Sequence, residues 1–306
     1  MGRAAARYNS PMATSTTPTR WSPAQLRHLA AFFGLRRIDA PTVYNSIGAD
    51  FLAAPAPGFL NLGLWDSRPG TVAGAPAAAA RLVTRLADAL PRGGVVLDVA
   101  NGLGAQDEVI AGMLRPRQLV AVNLTESQLH AGGARLAAAG AQAVCGDATR
   151  LPLASGVVDG LISVEAAFHF PSRAAFFAEA ARVLRPGGVL SFSDVSVERL
   201  AWDPLSLAAG LTNTRFWGIH PGTLARAGQI AGLLRAAGFA GVVVERVGHD
   251  TIDPFCEFLD ERLAAPDAAG LPSGQRRAGA VIAAQWRHLR ARGVLDYLLV
   301  RAHRPG

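Results

Sequence analysis

The chain contains no lysine: all 30 of its basic residues are arginine. That absence removes a Schiff-base lysine, a pyridoxal-phosphate anchor and the lysine of a Walker-type phosphate loop. Cysteine is scarce. Cys145 and Cys256 stand far apart and outside any CxxC spacing, which argues against a zinc ribbon or a disulfide framework and fits a reducing, cytoplasmic compartment. No apolar run reaches the roughly 18 residues of a membrane span, because Arg, Gly or Pro interrupts each long Ala/Val/Leu stretch. Arg3 and Arg7 are not followed by an apolar core, so no secretory signal is expected. The arginines form no like-charge block. The net charge of +7 therefore reads as compositional bias and not as a nucleic-acid surface. Neither nucleic acid nor membrane is an expected partner, and no His/Asp/Glu cluster has convincing metal spacing.

What is present is apolar bulk. Of 306 residues, 50% are hydrophobic and 17% charged, enough for one large α/β domain or two small ones. Residues 1–20, rich in Ser, Thr, Pro, Ala and Arg, read as a disordered tail. Residues 21–90 read as an N-terminal helical cover. Ser22 and Pro23 supply a capping hydroxyl and a first-turn proline, residues 55–58 break the pattern, and a helix is expected over 76–90.

From Val95 onward, short apolar runs alternate with helical segments. Strands are expected at 95–99, 119–122, 141–145, 160–164, 189–193, 242–247 and 295–300, with helices at 127–139 and 172–184 among them. This alternation predicts βαβ units in an α/β, Rossmann-like, doubly wound sheet of seven strands. Two interruptions, at 199–226 and 251–293, read as lid insertions within the domain 91–306.

The strand Val95-Val96-Leu97-Asp98-Val99 runs into Ala100-Asn101-Gly102-Leu103-Gly104, a carboxylate followed by a glycine turn and a helix. Glycines at such a turn let the backbone approach a ligand closely. The second strand ends at Asn123, followed by Leu124 and, one turn later, Gln128. The third ends in Gly146-Asp147-Ala148 and the fourth at Glu165, with Phe168 and His169 just beyond. Asp98, Asn123, Asp147 and Glu165 thus form one polar rim at the carboxyl edge, where open α/β sheets bind ligands.

With Leu184-Arg185-Pro186-Gly187-Gly188 closing a helix before the fifth strand, this ordered set over 95–195 resembles the class I S-adenosylmethionine-dependent methyltransferases, small-molecule type. The resemblance implies strand order 3-2-1-4-5-7-6 with an antiparallel seventh strand, and S-adenosyl-L-methionine as cofactor. It implies that Asp98, Ala100, Asn101, Gly102 and Gly104 cradle the methionine part. Asn123, Leu124 and Gln128 would flank ribose and adenine, Asp147 and Ala148 would hold the adenine, and Glu165 would close the rim. Residues 43–65 are similar to the cover of the subgroup containing cyclopropane-fatty-acid synthases and sugar, polyketide and prenyl methyltransferases. There Tyr44 would fold over the cofactor. The chain departs from the family pattern twice. Ala100 replaces a glycine and narrows the pocket, and Asn123 replaces an acid and accepts a ribose hydrogen bond without charge assistance.

The expected reaction is an in-line displacement placing the methyl group on a small-molecule acceptor. His169 is the leading base for a hydroxyl acceptor of a secondary metabolite, and Glu165 is its rival. Glu165 becomes the better base if the acceptor is an isoprenoid or lipid double bond, a diphosphate among them. A cofactor-binding cyclase that does not methylate is a further alternative. Substrate contacts are expected from Trp65, Asp194, Trp217 and His220. The sequence leaves open a homodimer in which one cover lies over its neighbour's site.

Overall fold

The computed structural model describes residues 54–219, 221–266 and 273–306, with the isolated helical positions Pro23, Leu26, Arg27 and Val43. The 1–20 segment, Tyr44, His220 and most of the proposed cover before residue 54 lie outside the described residues.

Seven strands form one sheet in the order β3-β2-β1-β4-β5-β7-β6. They are β1 (Val95–Val99), β2 (Gln118–Asn123), β3 (Ala141–Cys145), β4 (Val158–Ser163), β5 (Leu184–Val197), β6 (Ala240–Arg246) and β7 (Leu295–His303). β1 to β5 pair in parallel, and β7 runs antiparallel to both β5 and β6. The helices are α1 (Ala75–Ala87), α2 (Ala105–Leu114), α3 (Glu126–Ala138), α4 (Arg173–Val183), α5 (Pro204–Phe216), α6 (Ala227–Ala236), α7 (Ile252–Ala264) and α8 (Ser273–Ala291).

The inner strands β1, β2 and β4 are buried on both faces, as a parallel sheet requires, while the edge strands β3 and β6 are partly exposed. Alternate residues of β1 divide between two cores. Val96 packs with α1, α2 and α7 through Leu82, Ile110 and Phe255. Leu97 and Val99 pack with α4 and α6 through Phe176, Phe177 and Ile230. α1 buries Ala75, Ala78, Ala79, Leu82, Val83 and Leu86, the spacing of one helical face. α4 is capped by Ser172, whose hydroxyl accepts from the Ala175 N–H at 3.2 Å.

Two expectations change in extent. β5 begins at Leu184, so the Arg185-Pro186-Gly187-Gly188 stretch continues a 14-residue strand. Both interruptions are largely helical: α5 fills the first, and α7 and α8 fill the second. α5 starts at Asp203, whose carboxylate accepts from the Ser206 N–H at 2.9 Å, with Pro204 in the first turn. Among the described residues no helix is long and apolar enough to cross a membrane.

Candidate active site

Two adjoining cavities open at the carboxyl edge of the sheet. The first lies over β1, β2, β3 and β4 and is lined by Ala100, Gly102, Asn123, Leu124, Gln128, Asp147 and Ala148, with Gln106 beside them. The second lies under α5, α7 and α8 and is lined chiefly by Phe168, Trp217, Ile219, Phe255, Ile282 and Trp286. Leu60, Asn61, Glu165 and His169 border both. Of the four rim residues read from the sequence, Asn123, Asp147 and Glu165 line the first cavity.

Asp98, Asn101 and Gly104 do not line the first cavity. Asp98 is fully buried, and both its oxygens accept from Gln106 Nε2, at 2.8 and 2.7 Å. Burial, with the neighbouring Asp107, holds the Asp98 carboxyl well above the usual range. Burial raises Asp107 to about 7, opposed by the hydrogen bond from Asn101 Nδ2. Gln106, which the sequence reading missed, stands between Asp98 and the cavity. Gly104 packs against α3, where an added Cβ would lie 3.2 Å from the Gly132 carbonyl oxygen.

The Asn123 side chain is turned into the protein. Its Oδ1 accepts from the Thr125 N–H at 2.9 Å, and its Nδ2 donates to Gln128 Oε1 at 3.1 Å. Gln128 Nε2 is buried and has no hydrogen-bond partner, although Gln128 lines the cavity. Asp147 Oδ1 accepts from the Thr149 N–H and hydroxyl at 2.7 and 2.8 Å. An unpaired amide donor, a carboxylate and the apolar walls of Val99, Val122 and Ala148 fit a ligand that combines hydroxyls, an amino-bearing ring and an apolar face.

Glu165 sits just past β4 with φ of 52°, a left-handed conformation uncommon for a residue with a side chain. Its Oε1 accepts two hydrogen bonds, from the Leu62 N–H and from the Tyr297 hydroxyl, each at 2.7 Å. Burial raises its carboxyl to about 7 against the pull of those two donors. His169 ends the short 3-10 turn Ala167–His169, with its ring 4.2 Å from that of Phe168. Burial, reinforced by the Arg173 charge, lowers its imidazole to about 3.

Of the expected substrate contacts, Trp217 lines the second cavity. Trp65 does not: it is buried in the core, its ring centroid 6.0 Å from that of Phe258 and its Nε1 donating to the Leu62 carbonyl. Asp194 does not either. It is fully buried and ion-paired with Arg173 at 2.7 Å, which satisfies it inside the protein. Asn213, Trp286 and Tyr297 were not singled out from the sequence. Tyr297 on β7 reaches Glu165 through its hydroxyl, and Trp286 on α8 meets Asn213 and Trp217 at the end of α5.

Residues 97–192 match the family described as methyltransferase domain. The chain is 32% identical over 234 residues to erythromycin 3''-O-methyltransferase of Saccharopolyspora erythraea, an alignment covering 73% of this chain and 76% of that protein. Among solved structures it resembles the cyclopropane synthase MmaA2 from Mycobacterium tuberculosis, with TM-score 0.69 and 18% identity, covering 85% of this chain and 95% of that one. It also resembles the [4+2]-cyclase SpnF, with TM-score 0.66 and 21% identity, covering 89% and 99%. At these identities the solved structures show the shared fold. The chain belongs to the S-adenosylmethionine-dependent methyltransferases. Its cofactor is S-adenosylmethionine, and its activity is methyl transfer to small molecules.

Proposed function

We propose that the protein O-methylates a hydroxyl of a small, largely apolar secondary metabolite, with Glu165 as the base. The observation that carries this reading is the place of Glu165 on the wall shared by both cavities, where, among the described residues, its Oε1 takes both hydrogen bonds and Oε2 takes none. When bound, S-adenosylmethionine supplies a sulfonium methyl group open to in-line displacement. Gln128 and Asp147, with the Gly102 turn, are the groups that would hold it in the first cavity. The aromatic and aliphatic walls of the second would orient an apolar skeleton and exclude water. Glu165 Oε2 would accept the hydroxyl proton. Its carboxyl, raised to about 7, stands near the working pH, where a general base is most effective.

His169 is the weaker base. With its imidazole lowered to about 3 it stays neutral, and protonation would set a second cation near Arg173. Its role in this reading is to orient the acceptor as a neutral hydrogen-bonding group. Transfer to oxygen is supported by the name of the erythromycin methyltransferase relative. An isoprenoid diphosphate acceptor finds less support, since no arginine lines the second cavity among the described residues.

The test is incubation with methyl-labelled S-adenosylmethionine and a panel of naphthols, phenols and alicyclic alcohols. Methyl ethers are expected, with turnover falling about 100-fold or more in Glu165→Gln and less in His169→Asn. Wild-type turnover in Glu165→Gln, or carbon-methylated products, would overturn the reading.

A further inference from the structure

Tyr297 belongs to β7, on the far side of β5 from β4, and carries no expected role in the sequence. The antiparallel pairing of β5 and β7 sets Tyr297 opposite Val195 and Leu299 opposite Ser193. This register delivers a fully buried phenol to the strand-end carboxylate, with its hydroxyl 2.7 Å from Glu165 Oε1. The Glu165 N–H donates to Ser193 Oγ at 2.9 Å, so β5 fixes the backbone while β7 fixes the side chain. The Leu62 N–H supplies the second donor to Oε1.

We propose that Tyr297 is a positioning residue that, together with the Leu62 amide, anchors Oε1 of Glu165 and so presents Oε2 to the acceptor. This rests on the reading of Glu165 as the base. Burial holds the Tyr297 hydroxyl well above its ordinary range, and the Glu165 charge adds to this, so the phenol stays protonated and can only donate to the carboxylate. The other ionisable groups around the pair are His169 on the turn after β4, Asp194 on β5 and Arg173 on α4. His169 is neutral, and Asp194 and Arg173 neutralise each other in a buried ion pair. Burial therefore holds the carboxyl high, and the two donors on Oε1 are what pull it back.

Infrared difference spectroscopy of the full chain loaded with S-adenosylhomocysteine tests this without a known acceptor. Subtracting Glu165→Gln spectra isolates the Glu165 carboxyl band, which should disappear as pH rises through about 7. A donor to the carboxylate favours its charged form. Tyr297→Phe should therefore move that midpoint up by about one pH unit and shift the band to higher frequency. Incorporating 3-fluorotyrosine at position 297 keeps the shape and makes the donor stronger, so the midpoint should move down. That second variant carries the test if Tyr297→Phe fails to bind S-adenosylhomocysteine. An unmoved midpoint and band would overturn the positioning role, whatever the fate of the base. Conversely, a shifted midpoint alongside a fully active Glu165→Gln would retain the anchoring of the carboxyl and remove the base assignment on which its catalytic meaning depends.

Discussion

Arg173 Nε and Nη2 grip the two carboxylate oxygens of Asp194 at 2.7 and 3.0 Å, and both side chains are buried. Arg173 also donates to the carbonyl of Thr223, whose hydroxyl donates to the Phe168 carbonyl at 3.1 Å. The pair therefore braces the turn that carries His169. Removing one partner leaves the other charge buried and uncompensated. Asp194→Asn should cost about 3–5 kcal/mol in urea unfolding, whereas replacing both residues by apolar ones of similar volume should recover most of that. A loss below 1 kcal/mol in the single variant would show that water reaches Arg173.

The raised carboxyl of Glu165 has a stability signature with a defined sign. Its ordinary value of 4.5 rises to about 7 on folding. Between those values the folded state holds a proton that the unfolded state has lost, so this group's contribution is full below pH 4.5 and is lost as pH climbs to 7. Glu165→Gln should therefore gain on the wild type by about 3 kcal/mol between pH 4 and pH 8. His169 acts in the opposite sense. Lowered from 6.5 to about 3, it loses stability as pH falls through that interval. Paired unfolding curves of Glu165→Gln and His169→Gln against the wild type should diverge in opposite directions, and parallel curves would refute both shifts.

The inner strands were legible because buried parallel strands are largely apolar runs: Val95–Val99 is buried throughout and has the expected bounds. The partly exposed edge strand Ala141–Cys145 also has the expected bounds. The polar rim was legible because strand ends carry it directly. The helix filling the first interruption was not: α5 exposes Leu205, Leu207 and Leu211, so its apolar residues do not mark one buried face. Nor could sequence spacing reveal which rim residues had been drawn inward. Asn123 and Asp98 satisfy themselves on Thr125 and Gln106, partners fixed only by the folded turns. Tyr297 reaches Glu165 across 132 positions, through a β5–β7 register that no local pattern encodes.

Ala100 adopts φ of 63°, in the left-handed region that suits glycine, and its N–H donates to the Val122 carbonyl at 2.7 Å. That bond pins the strained backbone at the cavity wall. A left-handed alanine costs about 1–2 kcal/mol, partly offset because glycine loses more freedom on folding. Ala100→Gly should thus stabilise the fold by about 0.5–1 kcal/mol. Calorimetric titration should show S-adenosylhomocysteine binding no weaker, since removing Cβ widens the pocket. A destabilised variant would mean that the Ala100 methyl group packs well enough to outweigh its strain.

Asn213 joins α5 and α8 across the second cavity. Its Nδ2 donates to Gln285 Oε1 and its Oδ1 accepts from Trp286 Nε1, each at 2.7 Å. Both partners lie on α8, so one α5 side chain sets the spacing of the walls that carry Trp217 and Trp286, whose ring centroids are 6.4 Å apart. Asn213→Ala deprives the indole N–H and the Gln285 carbonyl of their partner; both bonds are part-buried, so the cost should be about 1 kcal/mol. Asn213 borders the second cavity and not the first. S-adenosylhomocysteine affinity should therefore hold, while tryptophan emission moves to longer wavelength as water reaches the indole. Methylation of whichever naphthol or alcohol the wild type accepts should lose affinity several-fold before it loses kcat. A matching loss in cofactor affinity would mean that the clasp supports the whole carboxyl edge of the sheet, and the separation of the two cavities into independent binding walls would fail.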